Sequence, residues 1–126
     1  MAVLIERFTG EAYQGGASTY HGLVSEQDLD FTPLVQADLD SIHYSIRNTD
    51  TGEFSKENVA LVVADVITDA VDSHGHNFHV QFPDDSFPDG CVVYEVTFKF
   101  VSSDASSTVT YGKINISVEG VNFTDA

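Results

Sequence analysis

The sequence predicts an all-β protein of one domain: a β-sandwich or small barrel carrying one short helical turn. Three observations lead there. Four segments (41–47, 76–82, 92–100 and 113–119) alternate apolar and polar residues with a period of two, the mark of strands with one buried face. Runs rich in Gly, Pro, Asn, Asp and Ser separate those segments and supply turns. The 126 residues, 42% of them hydrophobic, suffice for one core and leave little room for a second.

Taken in chain order, residues 2–8 form a candidate short strand, although their apolar run is continuous. Residues 9–40 are punctuated by Gly10, Gly15, Gly16, Ser18, Gly22 and Pro33. They read as loops with one short strand near Tyr20–Val24, or as an arm that orders only against a partner. The expected division within the single domain is therefore an N-terminal strand and extended loop or arm over 1–40, then a sandwich body over 41–126.

In the body, Ile42, Tyr44 and Ile46 share one face, with Ser41, His43, Ser45 and Arg47 opposite. Residues 48–53 then turn the chain, with Gly52 free to take positive φ. Val59, Val62, Val63, Val66, Ile67 and Ala70 fit a helical period, whereas their β-branching favours a strand. A strand over 59–63 followed by a helical turn over 65–71 reconciles the two. Further on, His76, Phe78, Val80 and Phe82 face one way and Asn77, His79 and Gln81 the other, until Pro83 ends the ladder. The last two alternating segments flank the polar run 102–107 and form a β-hairpin.

Charge narrows the function classes. Twenty Asp and Glu against five Lys and Arg give a net charge of −15. Nucleic acid and anionic membrane surfaces both demand cationic side chains, so neither is an expected partner. The acidity fits either a solvated, self-repelling surface or life in salty water. No run approaches the ~20 apolar residues of a membrane span, and the opening residues lack the pattern of a signal peptide.

Candidate chemistry is sparse. His74, His76 and His79 form a tempting metal cluster, yet on one strand His76 and His79 project to opposite faces and cannot share an ion. His76 is expected in the core and His79 on the wet face. Asn48, Asp50 and Glu53 suggest a fragment of a calcium loop, but the full pattern is missing and a polar turn explains the same residues. Asp84, Asp85 and Asp89 lie in a loop without a matched nucleophile. Cys91, the sole cysteine, precludes an intrachain disulfide and reads as a buried or half-buried thiol. Asn115 and Asn122 begin sequons that matter only in a eukaryotic secretory setting. The expectation is no catalytic residue, no cofactor and no metal.

Residues 75–100, GHNFHVQFPDDSFPDGCVVYEVTFKF, resemble a group of small proteins encoded among the virion genes of tailed bacteriophages. Gly75, Asn77 and Phe78 match the group's G-Y-N-F element, Phe87 and Pro88 its F-P element, and Tyr94, Val96, Phe98 and Phe100 its Y-x-V-x-[YF]-x-F strand. Residues 36–53 are similar to its A-D-[LI]-x-S-I-x-Y-x-[IV] strand and turn. His76 and His79 depart from the usual tyrosine and arginine. The resemblance spans roughly residues 36–118 and implies an immunoglobulin-like antiparallel sandwich with a non-enzymatic role in the virion.

Among such roles, head decoration fits the size and acidity: a cement protein bound across junctions of the major capsid protein, expected as a homo-oligomer. The alternatives are a neck, tail or baseplate module, and a carbohydrate- or cell-surface-binding module using loops 13–21 and 83–90.

Overall fold

The computed structural model describes residues 3–27, 30–103 and 108–121. Among them run β1 (Val3–Gly10), β2 (Ala12–Tyr13), β3 (Ser18–Glu26), β4 (Leu39–Asn48) and β5 (Phe54–Leu61). The one-turn helix α1 (Val63–Val66), then β6 (Phe78–Phe82), β7 (Val92–Ser102) and β8 (Val109–Glu119) complete the order. A 3-10 turn at Gln36–Asp38 precedes β4. One sheet has the order β1-β3-β6 and the other β2-β8-β7-β4-β5. This is an immunoglobulin-like sandwich: β1, β3 and β6 stand where strands A, B and E do. The strands β4, β7 and β8 take the places of C, F and G, with β5 added at the edge.

The alternation read from sequence is realised in β4, β7 and β8. Ile42, Tyr44, Ile46, Tyr94, Val96, Phe98, Phe100, Ile116 and Val118 are all buried, because period-two side chains on a paired strand can share one face. The hairpin pairs Val92 with Val118 through to Val101 with Val109 in unbroken register. Against this face the small sheet presents Tyr20, Val24, Phe78, Val80 and Phe82. The core is strongly aromatic. Phe98 meets Phe78 edge-on at 5.2 Å and Phe8 at 5.7 Å, and Tyr44 meets Phe82 at 5.4 Å. Such contacts add about 0.5–1.5 kcal/mol each beyond burial.

The corner before β7 is tied down by one phenol. The backbone N–H of Asp89 donates to Tyr94 Oη at 3.0 Å, the tyrosine corner of this fold class. Where antibody domains place the second disulfide cysteine, two residues on, this chain has Val96. Aromatic packing takes the place of the cross-link.

Several expectations need correction. The region 1–40 is not an arm beside the sandwich. Its strands β1 and β3 make two of the three strands of the small sheet. The inward positions of β3 are Ser18, Tyr20, Gly22 and Val24, and small residues at two of them mask the period. The chain crosses from β1 to β2 through Glu11 alone, and β2 pairs parallel with β8, so the sandwich is not wholly antiparallel. β5 begins at Phe54, five residues before the expected strand. It is an edge strand with a half-exposed pattern and a bulge near Asn58, whose φ is 49°. The helical turn is α1, ending at Val66 instead of 71. The turn at 48–53 forms as expected, with Gly52 at φ 77°, and β6 stops before Pro83. Residues 104–107 of the expected hairpin turn lie outside the described residues.

Candidate functional site

The histidine-rich stretch departs from its expected placement. His76 precedes β6, and Gly75 at φ 80° turns the chain there. The Asp72 carboxylate accepts the backbone N–H groups of His74 and His76, both at 2.9 Å. Those bonds, the His76 one first, hold the Asp72 carboxyl below its usual range. The twist shifts the phase by one residue. Asn77 is fully buried instead of wet, and His76 is partly exposed instead of buried in the core.

The same twist gathers histidines. His21 of β3 and His79 of β6 are direct cross-strand partners, and their Nδ1 atoms lie 2.6 Å apart. The His76 ring stacks on His21 at 5.8 Å with an 8° interplanar angle, and His74 lies 6.3 Å from His76. Four of the five histidines thus meet on the outer face of the small sheet. Desolvation, then the neighbouring His21, pushes the His79 imidazole below its ordinary value, which favours the neutral ring. Sequence reasoning missed His21, which lies 58 residues from His79. Its position opposite His79 depends on strand register alone. Among the described residues, no three His, Cys, Asp or Glu side chains are arranged to hold a metal ion.

The remaining candidates separate. Asn48 is buried, and its Oδ1 accepts the N–H groups of Asp50 and Thr51 at 2.8 and 3.2 Å. That is an Asx turn. Glu53 contributes its backbone carbonyl to the Asn48 N–H. The loop carboxylates also have unrelated partners. Asp85 pairs with Lys56 at 2.8 Å, which holds its carboxyl low and the ammonium high. Asp89 Oδ2 accepts from Asn48 Nδ2 at 3.2 Å. Cys91 is exposed, contrary to expectation, because its φ of 58° places it ahead of β7 at a turn. Asn115 is exposed on β8, and Asn122 lies outside the described residues.

Loops 13–21 and 83–90 do meet, through the Gly15 N–H bonded to the Phe87 carbonyl at 2.9 Å. Yet Tyr20 and Phe87 are buried, leaving Tyr13 as the exposed aromatic between them, with its hydroxyl bonded to Glu11. A sugar-stacking platform has little to build on there.

The outer face of the five-stranded sheet is open to solvent. Arg47 of β4, Lys99 of β7 and Lys113 of β8 lie on it, three of the five Lys and Arg in the chain. Glu95 sits between Arg47 and Lys113, at 3.6 and 3.9 Å. Tyr111 is 61% exposed, with Val93 and Val109 also open to solvent. A shallow hollow here is lined by His43, Ser45, Asn58, Thr97, Lys99 and Tyr111. His43 Nδ1 is buried in its wall without a hydrogen-bond partner, and an unpaired polar atom of that kind costs about 1–3 kcal/mol until something pairs with it. No helix among the described residues is long and apolar enough to cross a membrane. No family model matches the chain, and no curated protein matches it.

Proposed function

We propose that the chain is a non-enzymatic structural protein of a tailed-bacteriophage particle, a decoration protein that binds across junctions of the major capsid protein and cements the head. The observation that carries this reading is the outer face of the five-stranded sheet. On a molecule of charge −15, one sheet face carries Arg47, Lys99 and Lys113 beside exposed Tyr111 and an unpaired His43 nitrogen. Aromatic and Arg-bearing faces of this kind suit protein contact. The acidic remainder keeps the outward side soluble and opposes stacking of copies. The likeness of residues 36–118 to small virion proteins supports the same reading, although its motif residues Asn77, Phe87 and Tyr94 serve the core. Many weak sites repeated over a lattice stabilise it by mass action.

The test is retention on purified empty heads of the phage that carries the gene. The wild-type chain is expected to sediment with heads, and Lys99→Glu with Lys113→Glu to reduce retention roughly tenfold or more. Icosahedrally repeated density in cryo-EM of the virion supports decoration. Density confined to the tail axis rejects it in favour of a neck, tail or baseplate module. Absence from the particle defeats the virion reading altogether.

A further inference from the structure

We propose that His21 and His79 form a two-point chelate for one divalent late transition-metal ion, on the face of the molecule opposite the surface assigned to docking. The two residues are direct partners across the β3–β6 ladder, so backbone hydrogen bonding fixes their spacing before any ion arrives. Their rings stand at 71° with centroids 4.9 Å apart, and Nδ1 faces Nδ1 at 2.6 Å. Imidazole nitrogens bind such ions at about 2.0–2.1 Å, which places two nitrogens on one ion about 3 Å apart. Binding opens the pair to that spacing and turns both rings so that their Nδ1 lone pairs converge on the ion.

The proton balance is simple. The Nδ1–Nδ1 contact holds a single proton, on the ring that donates. Binding moves it to Nε2 of that ring, a change of tautomer, and frees both Nδ1 lone pairs for the ion. No proton is lost, and no charge is added beyond the metal's own. The groups facing the pair are His76, stacked on His21, His74 beyond it, and the Asp72 carboxylate, which acts electrostatically on His79. Arg7 approaches Gly75 from β1. With two protein ligands, water completes the coordination sphere, and the bound ion is exchangeable. Copper(II) heads the affinity order for nitrogen sites of this kind.

The experiment titrates tag-free full-length protein with copper(II) alone, read by calorimetry and by nitrogen hyperfine splitting in electron paramagnetic resonance. Wild type is expected to bind one ion per chain through two nitrogens. His21→Ala and His79→Ala should each weaken binding roughly a hundredfold by abolishing chelation, and the double variant little further. His21→Gln, which keeps a polar side chain without a ligating ring nitrogen, should match His21→Ala while leaving the circular dichroism spectrum intact. His74→Ala with His76→Ala should retain chelation. Absence of stoichiometric binding overturns the proposal. So does binding that survives loss of His21 but not loss of His74 and His76, because the loop would then hold the ion.

Discussion

The side-chain amide of Asn77 bonds Val24 in both directions: its Oδ1 accepts the Val24 N–H at 2.8 Å and its Nδ2 donates to the Val24 carbonyl at 3.0 Å. The same Nδ2 donates to the Leu34 carbonyl at 3.0 Å. One fully buried side chain thus imitates a strand neighbour just ahead of β6 and pins the loop after β3. Asn77→Ala strips partners from buried backbone groups, each worth about 1–3 kcal/mol. Urea denaturation is expected to show a loss of about 3 kcal/mol or more. Asn77→Asp tests the directionality: an ionised carboxylate would face two carbonyl oxygens, so the variant should regain stability as pH falls and the carboxyl can donate again.

Tyr94 holds the corner before β7 by accepting the Asp89 N–H. Its ring is buried and meets Phe87 edge-on at 5.4 Å. Tyr94→Phe keeps the packing and removes the hydroxyl, which accepts the Asp89 N–H and also bonds the side chains of Asn48 and Asp89. The expected cost is about 1–2 kcal/mol, with an unchanged m-value in denaturation and faster hydrogen exchange at the Asp89 amide.

Alkaline stability should fall as phenols held protonated by the fold ionise, with Tyr20 the most strongly raised of them. Burial, with the Glu11 carboxylate adding to it, pushes the Tyr20 hydroxyl up to about 12. An unfolded tyrosine ionises near 10. Between those values the unfolded chain releases the proton and the folded one keeps it, so stability is intact below about pH 10 and declines toward about pH 12. Denaturation midpoints across that window should fall for wild type and fall less for Tyr20→Phe. An equal decline in both would place the sensitivity elsewhere.

Salt should stabilise the fold. Twenty acids against five Lys and Arg repel over a Debye length of about 30 Å at 0.01 M and about 3 Å at 1 M. The Arg47–Glu95, Lys113–Glu95 and Lys56–Asp85 pairs sit at the surface and contribute little for salt to remove. The melting temperature is expected to rise by several degrees over that range. A fall would mean that these pairs outweigh the net repulsion.

Legibility from sequence followed burial geometry. The strands β4, β7 and β8 were readable because each has one face in the core and one in water, so polarity alternates with the pleat. β5 was not, because an edge strand with a bulge keeps every residue at least partly exposed. β3 was shortened because Ser18 and Gly22 point inward where large side chains would have marked the period. The phase error at His76 and Asn77 came from Gly75, whose left-handed backbone breaks the extended zigzag just before β6. Of the candidate residues, the His74–His79 stretch was visible but its partner was not: His21 meets His79 only through the β3–β6 register. The cationic face was equally hidden, since Arg47, Lys99 and Lys113 are scattered along the chain and converge only when three strands lie side by side.

The two-residue parallel pairing of β2 with β8, extended by the Gln14 N–H bonded to the Glu119 carbonyl at 2.9 Å, has a mechanical consequence. A pull between the chain leading into Ala12 and the chain leaving Glu119 stretches this short ladder lengthwise. Its bonds must rupture together instead of unzipping one at a time. Along that axis the ladder carries load in shear, spread over all its bonds at once.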